Sequence, residues 1–206
     1  RPAEGVPPCH GWAADFQAKC LRAEAVGLLL EHLLQGGLAV DLVVGHPGWG
    51  ELLAIKDLLP STPVLHQVEF VYRMEGGDAG FDPELTRSGW RPRTQLRLRR
   101  APQLIPFHDL DWGLAPTHWQ ASTAPQEFRE RISVIHEGID TRRISPASGC
   151  SVTLRKAGLT FHPGDELVSF AARNLEPYRG FHVFMRMLPL LQSLRPRCHV
   201  VIVGGD

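Results

Sequence analysis

The feature that most constrains this chain lies near its C-terminal end, where two short apolar runs flank one helix-length segment. The first run, residues 167–172 (LVSFAA), and the second, residues 199–203 (HVVIV), are too apolar for a half-solvated strand and fit the buried strands of a parallel sheet. Between them, Phe184, Met187, Leu188, Leu191 and Leu194 recur at the spacing of one helical face, after a turn at 174–180 broken by Pro177 and Gly180. Arg195-Pro196 stops the helix, and Gly204-Gly205 closes the second run. A strand–helix–strand unit of this kind joins parallel strands by a right-handed crossover. Arg173 and Arg179 stand six residues apart where the first strand hands over to the helix. That edge is where α/β sheets take their ligands, and helix N-termini there favour anions. The expected ligand bears phosphate, held by Arg173, Arg179 and the amides that open the helix.

The rest of the chain alternates in the same way. A helical pattern over 16–34 ends at Gly36-Gly37, and a strand follows over 38–44. His46-Pro47-Gly48-Trp49-Gly50-Glu51 forms a loop, in which Gly48 and Gly50 serve a tight backbone turn. A short helix over 51–59 stops at Pro60, and a strand covers 63–70. Residues 73–93 are irregular, a long loop of the sort kept for function or mobility. Then come a helix over 94–109 interrupted by Pro102 and Pro106, a strand at 113–116, a helix over 117–131 broken by Pro125, and a strand at 132–136. Residues 141–164 show little periodicity and read as a connector. The fold class is therefore α/β with mostly parallel strands, a Rossmann-like sheet domain followed by the beginning of a second one. The expected boundaries are 1–140 for the first domain, 141–164 for the connector and 165–206 for the second. A lone strand–helix–strand leaves one face of its strands bare, and the chain opens without Met, so it reads as cut at both ends.

Charge narrows the partners. Lys plus Arg and Asp plus Glu are 22 each, which argues against a bulk nucleic-acid binder with its large basic excess. Arg87, Arg91, Arg93, Arg97, Arg99 and Arg100 nevertheless cluster, with Arg93, Arg97 and Arg100 on one helical face. A solvated face is the first reading; an anionic acceptor, or peripheral membrane contact through Arg91 to Arg100, are the alternatives. The four cysteines form no CxxC, and Cys20 and Cys198 fall in apolar segments, which points to buried thiols and a reducing cytoplasm. The longest near-apolar run, 26–34, is too short to span a bilayer. No transition-metal site is expected, because the ten histidines include neither HxxxH nor HxH. Glu75, Asp78, Asp82 and Glu84 crowd one loop without the spacing of a calcium loop.

Six segments then stand in one order: HPGWGE after LAVDLVVG, PVLHQVEFVY, DWGLAPTHWQAST, ISVIHEGID, FAARNLEPYRGF and VVIVGGD. Together they resemble the group 1, or family 4, glycosyltransferases of the GT-B fold, whose two Rossmann-like domains face each other across the active site. The resemblance implies a retaining transferase that moves a sugar from a nucleotide-diphosphate sugar to an acceptor the sequence does not name. It places Arg173, Arg179 and Gly180 at the donor diphosphate, with Arg179 where the family carries Lys; no metal and no cofactor is implied, the nucleotide sugar being a substrate. It places His46 near the transferred sugar and Glu69 where many relatives carry His or Asp. On its own residues His46 also fits a turn cap, and Glu69 a partly buried, paired carboxylate. Trp49, Trp112 and Trp119 read as packing residues rather than sugar platforms. The family's two glutamates eight residues apart and its nucleoside pocket would follow Asp206, and its first strand would precede Arg1. The resemblance thus implies an enzyme fragment inactive alone and prone to self-association through bare apolar strands. The alternatives are a non-catalytic nucleotide-sugar-binding or interaction module and a Rossmann oxidoreductase; the latter lacks its GxGxxG.

Overall fold

The computed structural model describes residues 9–77 and 79–205. The opening segment 1–8, Asp78 of the acidic loop and the terminal Asp206 lie outside the described residues. The chain divides into two compact units, one up to Gly138 and one from Ile139.

The first unit is built on a four-stranded parallel sheet: β1 (Val43–Gly45), β2 (Val64–Gln67), β3 (Trp112–Ala115) and β4 (Ile132–Val134), in that spatial order. The strands are shorter than the apolar runs that announce them, because pairing starts only where Val43 meets Val64, Leu65 meets Trp112 and Gly113 meets Ile132. Leu38 and Leu42, expected in the first strand, precede it and are exposed. Helices α1 (Ala14–Gln35), α2 (Ile55–Leu58), α3 (Trp90–Leu104) and α4 (His118–Thr123) fill the connections. The expected turn after α1 is a Schellman stop: Leu38 N–H donates to Leu33 O and Gly37 N–H to Leu34 O, with Gly37 at φ 91°. Pro102 lies inside α3, and the chain tightens into a 3-10 turn at Ile105–Asp109. Pro125 splits the expected helix over 117–131 into α4 and a 3-10 turn at Gln126–Arg131.

Two apolar clusters lock these elements. Val68, Val71, Phe107, Leu110, Ala115, Ala124 and Phe128 form one; Leu52, Ile55 and Val64, with Val26 and Leu30 of α1, form the other. Asp111 staples the strand starts by accepting from Lys56 Nζ (2.8 Å) and Val64 N–H (2.7 Å). These two bonds, the Lys56 one foremost, hold its carboxyl below the ordinary range. The opposite sheet face is barer, with Val44 and Trp112 exposed. Trp112 and Trp119 are both exposed, so neither is the packing residue expected. Cys20 is exposed as well, on an outward position of α1, and Cys198 is only half-buried, which corrects the expectation of buried thiols. A helix segment can be apolar on average and still turn one small residue outward.

In the second unit, the stretch expected to be a featureless connector contains an antiparallel hairpin, β5 (Val152–Leu154) with β6 (Leu159–Phe161), turned by Gly158 at φ 65°. Strands this short leave no periodicity to read. β7 (Leu167–Asn174) and β8 (His199–Gly205) pair in parallel, joined through a 3-10 turn at Pro177–Arg179 and α5 (Phe181–Leu194). The helix docks on β7 through Phe170, whose ring lies 5.3 Å from Phe181 and 4.9 Å from Phe184. Of the apolar face expected on this helix, Phe184, Leu188 and Leu191 are half-buried, while Met187 and Leu194 are exposed.

Candidate active site

His46 follows the carboxyl end of β1, and Glu69 comes two residues after the end of the neighbouring β2. Parallel pairing therefore brings both to the edge of the sheet where α/β folds bind ligands. Their side chains face each other, His46 Nε2 to Glu69 Oε2, at 3.4 Å. That is an electrostatic contact rather than a tight hydrogen bond. The other ring nitrogen, Nδ1, accepts from Gly48 N–H at 3.0 Å, which assigns the neutral tautomer with its proton on Nε2, toward Glu69. The expected turn-cap role and the expected site position thus belong to one side chain.

The loop that holds His46 explains the two glycines. A side chain at Gly48 would put its Cβ 2.9 Å from His46 Cε1, and one at Gly50 would put it 2.5 Å from the Lys19 carbonyl oxygen. Gly50 also stands at φ 103°, a backbone region that L side chains avoid. The loop is thereby seated on α1, and Arg22 of that helix donates to Trp49 O at 2.6 Å. Trp49 stacks on His46, ring centroids 4.7 Å apart at 26°, with its indole still half exposed. That stacking makes Trp49 part of the cleft wall and not a core residue.

The cleft, about 260 Å³, is bounded by Lys19 and Arg22 of α1, His46, Trp49, Glu69 and Tyr72 among others. Burial is the main influence on the His46 imidazole and pushes its pKa below the ordinary value. Glu69, and then Glu51, pull it back up, while Lys19 adds to the lowering. The ring is accordingly neutral at pH 7, able to donate one hydrogen bond from Nε2, while half-exposed Glu69 offers an acceptor beside it. Such a pair can grip the hydroxyls of a polyol and hold or relay a proton between them.

Three residues the sequence did not single out build this site. Gln103 of α3 accepts from Tyr72 N–H (3.0 Å) and donates to Phe70 O (3.4 Å), and Thr123 Oγ1 accepts from Val71 N–H (2.9 Å). Both are buried and fix the path of the chain just after Glu69. His66 is fully buried beneath the site, in register between Gly45 and Gly113, edge-on to Phe107. Burial drives its pKa down to about 4, with His46 adding to the lowering and Asp111 opposing it, and neither ring nitrogen has a hydrogen-bond partner among the described residues. The register places a glycine on each side of His66, and the space over those glycines is filled by Leu52 on one side and Ile132 on the other.

In the second unit, Arg173 lies at the carboxyl end of β7 and Arg179 in the turn before α5, both exposed. Arg179 Nε is 3.7 Å from Glu176 Oε1. Gly180 caps α5 at φ 73°. Gly204 of β8 lets the two strands close, since a Cβ there would meet Ala172 O at 2.6 Å.

The parallel sheet with its loop-edge His–Glu pair defines an α/β protein of the Rossmann-like kind, with a cleft at the carboxyl ends of its strands. The model of the glycosyl transferase family 4 group matches residues 1–144, which include that whole cleft, and the chain belongs to this family. It is 27% identical over 166 residues to a D-inositol 3-phosphate glycosyltransferase of Streptomyces scabiei, covering 78% of this chain and 34% of that protein. A D-inositol 3-phosphate glycosyltransferase of Streptomyces avermitilis is 24% identical over 168 residues, covering 78% of this chain and 32% of that protein. The chain thus spans about a third of the length of the curated relatives it matches.

Proposed function

We propose that this chain serves a retaining glycosyl transfer from a nucleotide-diphosphate sugar, with the first unit holding the reacting sugar or acceptor hydroxyls and the second holding the diphosphate. The observation that carries the reading is the His46–Glu69 pair, 3.4 Å apart in a cleft at the strand ends of a family 4 glycosyltransferase chain. Departure of a nucleoside diphosphate builds negative charge on the leaving phosphate. Arg173 and Arg179 supply two cations at one end of β7, and the opening turn of α5 adds amide donors. Neutral His46 donates from Nε2 to a sugar oxygen, and Glu69 accepts from a hydroxyl. The acceptor proton then has two destinations, Glu69 or the departing phosphate.

Titration calorimetry with uridine, guanosine and adenosine diphosphates tests the donor half. One of them binds, and Arg173→Ala and Arg179→Ala each weaken it by about tenfold or more, the worth of a charge-assisted phosphate contact. His46→Ala leaves that affinity within about twofold. Binding of NAD with none of the diphosphates would overturn the transferase reading in favour of a dinucleotide enzyme.

A further inference from the structure

Trp49 is a large aromatic side chain left half exposed in a cleft whose wall carries Asp15, Lys19, Arg22 and Glu69. Apolar burial does not account for its position, so its contacts must. Residues His46 to Trp49 form a turn closed by Trp49 N–H to His46 O at 3.5 Å, a long and weak bond. The turn is held from outside instead. Arg22 of α1 donates to Trp49 O at 2.6 Å, its own Nε lies 3.6 Å from Glu51 Oε1, and Gly50 is wedged on the Lys19 backbone. The main chain of Trp49 is thereby pinned to the 22-residue helix α1, and its indole lies on the His46 ring. That ring has few other restraints: Nδ1 accepts from Gly48 N–H, and the contact with Glu69 is long, at 3.4 Å. One hydrogen bond to a backbone amide favours a given ring position over a swung-out one by only about fivefold, and an aromatic contact adds about as much again. The two also fix different things. The hydrogen bond lets the ring tilt about the N–H direction, whereas a stacked face sets its plane.

The geometry points to Trp49 as a positioning residue: its indole fixes the plane of the His46 ring, so that Nε2 is directed at Glu69 and at the substrate oxygen that comes between them. This deepens the transferase reading and rests on it for the identity of that oxygen, a hydroxyl of the sugar or acceptor. The contacts run in one line from α1 through Arg22 to Trp49, His46 and Glu69. The proton-bearing edge of the imidazole is thus set by a helix and not by the loop alone. Such control matters chemically, because an error of an ångström in the placement of a reacting group costs about a hundredfold in rate.

The test needs no substrate. The His46 pKa is followed by NMR of its ring resonances in mutant cycles that combine Glu69→Gln with Trp49→Ala and with Trp49→Phe. Besides Glu69, the charged groups around the ring are Glu51 and Lys19, with Asp15 and Arg22 on the cleft wall and His66 beneath, and none of them changes in the cycles. Glu69→Gln lowers the His46 pKa in the parent protein. In the Trp49→Ala background the same substitution is expected to lower it by less than half as much, and in the Trp49→Phe background by nearly the full amount, since an aromatic face remains. Trp49 is half exposed, so Trp49→Ala keeps the fold, which urea midpoints verify, and Trp49→Phe serves should it not. An effect of Glu69→Gln that is equal in all three backgrounds, or that vanishes with Trp49→Phe as fully as with Trp49→Ala, would overturn the proposal. The cycles read the ring in the free protein and are indifferent to whether nucleoside diphosphates bind, so the positioning role and the transferase reading fail separately.

Discussion

His46 and His66 sit 20 residues apart in sequence, yet His46 adds to the lowering of the His66 pKa across neighbouring strands. Burial holds both imidazoles neutral, but among the described residues only His46 has a carboxylate at ion-pair distance. Replacing Glu69 by Gln removes the foremost influence that raises the His46 pKa, so it should fall further below the ordinary value. Histidine ring resonances followed by NMR against pH read this directly; an unchanged or raised pKa would mean that Glu69 does not face the ring in solution. His66 makes a different prediction, about stability. Its native pKa of about 4 lies below the unfolded value of 6.5, so between these pH values the unfolded chain takes up a proton that the native one refuses. Stability contributed by the neutral ring is complete above that window and is lost as pH falls through it, by up to about 3 kcal/mol. His66→Leu should flatten this part of the pH dependence in urea unfolding between neutral and mildly acid solution. His46 was legible in the sequence because it ends an apolar run and precedes a Pro-Gly turn. His66 was not, since nothing local separates it from a surface histidine on an edge strand.

The loop after β1 works as an element because it is wedged against α1, and glycine substitutions measure that wedge. Gly37 and Gly50 both have positive φ, but a Cβ at Gly37 meets nothing within 4 Å while one at Gly50 runs into the Lys19 backbone. Gly37→Ala should therefore cost only the left-handed backbone strain, about 1 kcal/mol, and Gly50→Ala about 3 kcal/mol or more once the overlap is added. Denaturant midpoints compare the two; equal costs would show that the loop lifts off α1 freely. At this scale the sequence was a good guide to order and type of elements, because strand-like and helical runs were punctuated by Gly and Pro. It misjudged lengths, since a strand lasts only as long as its neighbour pairs with it, and Val43–Gly45 is bounded by what β2 offers. It also missed the β5–β6 hairpin, whose three-residue strands carry no pattern. Gln103 and Thr123 escaped notice for a related reason: their work is to satisfy backbone groups that only the folded path of 70–72 leaves open.

For the whole molecule, charge balance and exposed apolar surface act together. Acidic and basic residues cancel at pH 7, and the isoelectric point is about 7.3, so long-range repulsion between copies vanishes near neutrality. In the second unit Val183, Leu190 and Leu194 of α5 and Val203 of β8 are each more than half exposed, and in the first unit so is Val44 of β1, at one edge of its sheet. Apolar surface of this kind drives association wherever electrostatic repulsion does not oppose it. Attraction between copies should therefore peak near pH 7.3 and weaken on either side, as the ten histidines charge in acid or the carboxylates dominate in base. Static light scattering gives the sign: the second virial coefficient should pass through its most negative value near neutrality. Leu190→Glu with Leu194→Glu should raise it twice over, by removing two of the most exposed side chains of α5 and by moving the molecule off its neutral point. A coefficient that is positive at neutral pH would mean that no apolar surface drives association, and one that is negative but indifferent to those two substitutions would mean that the surface driving it lies elsewhere.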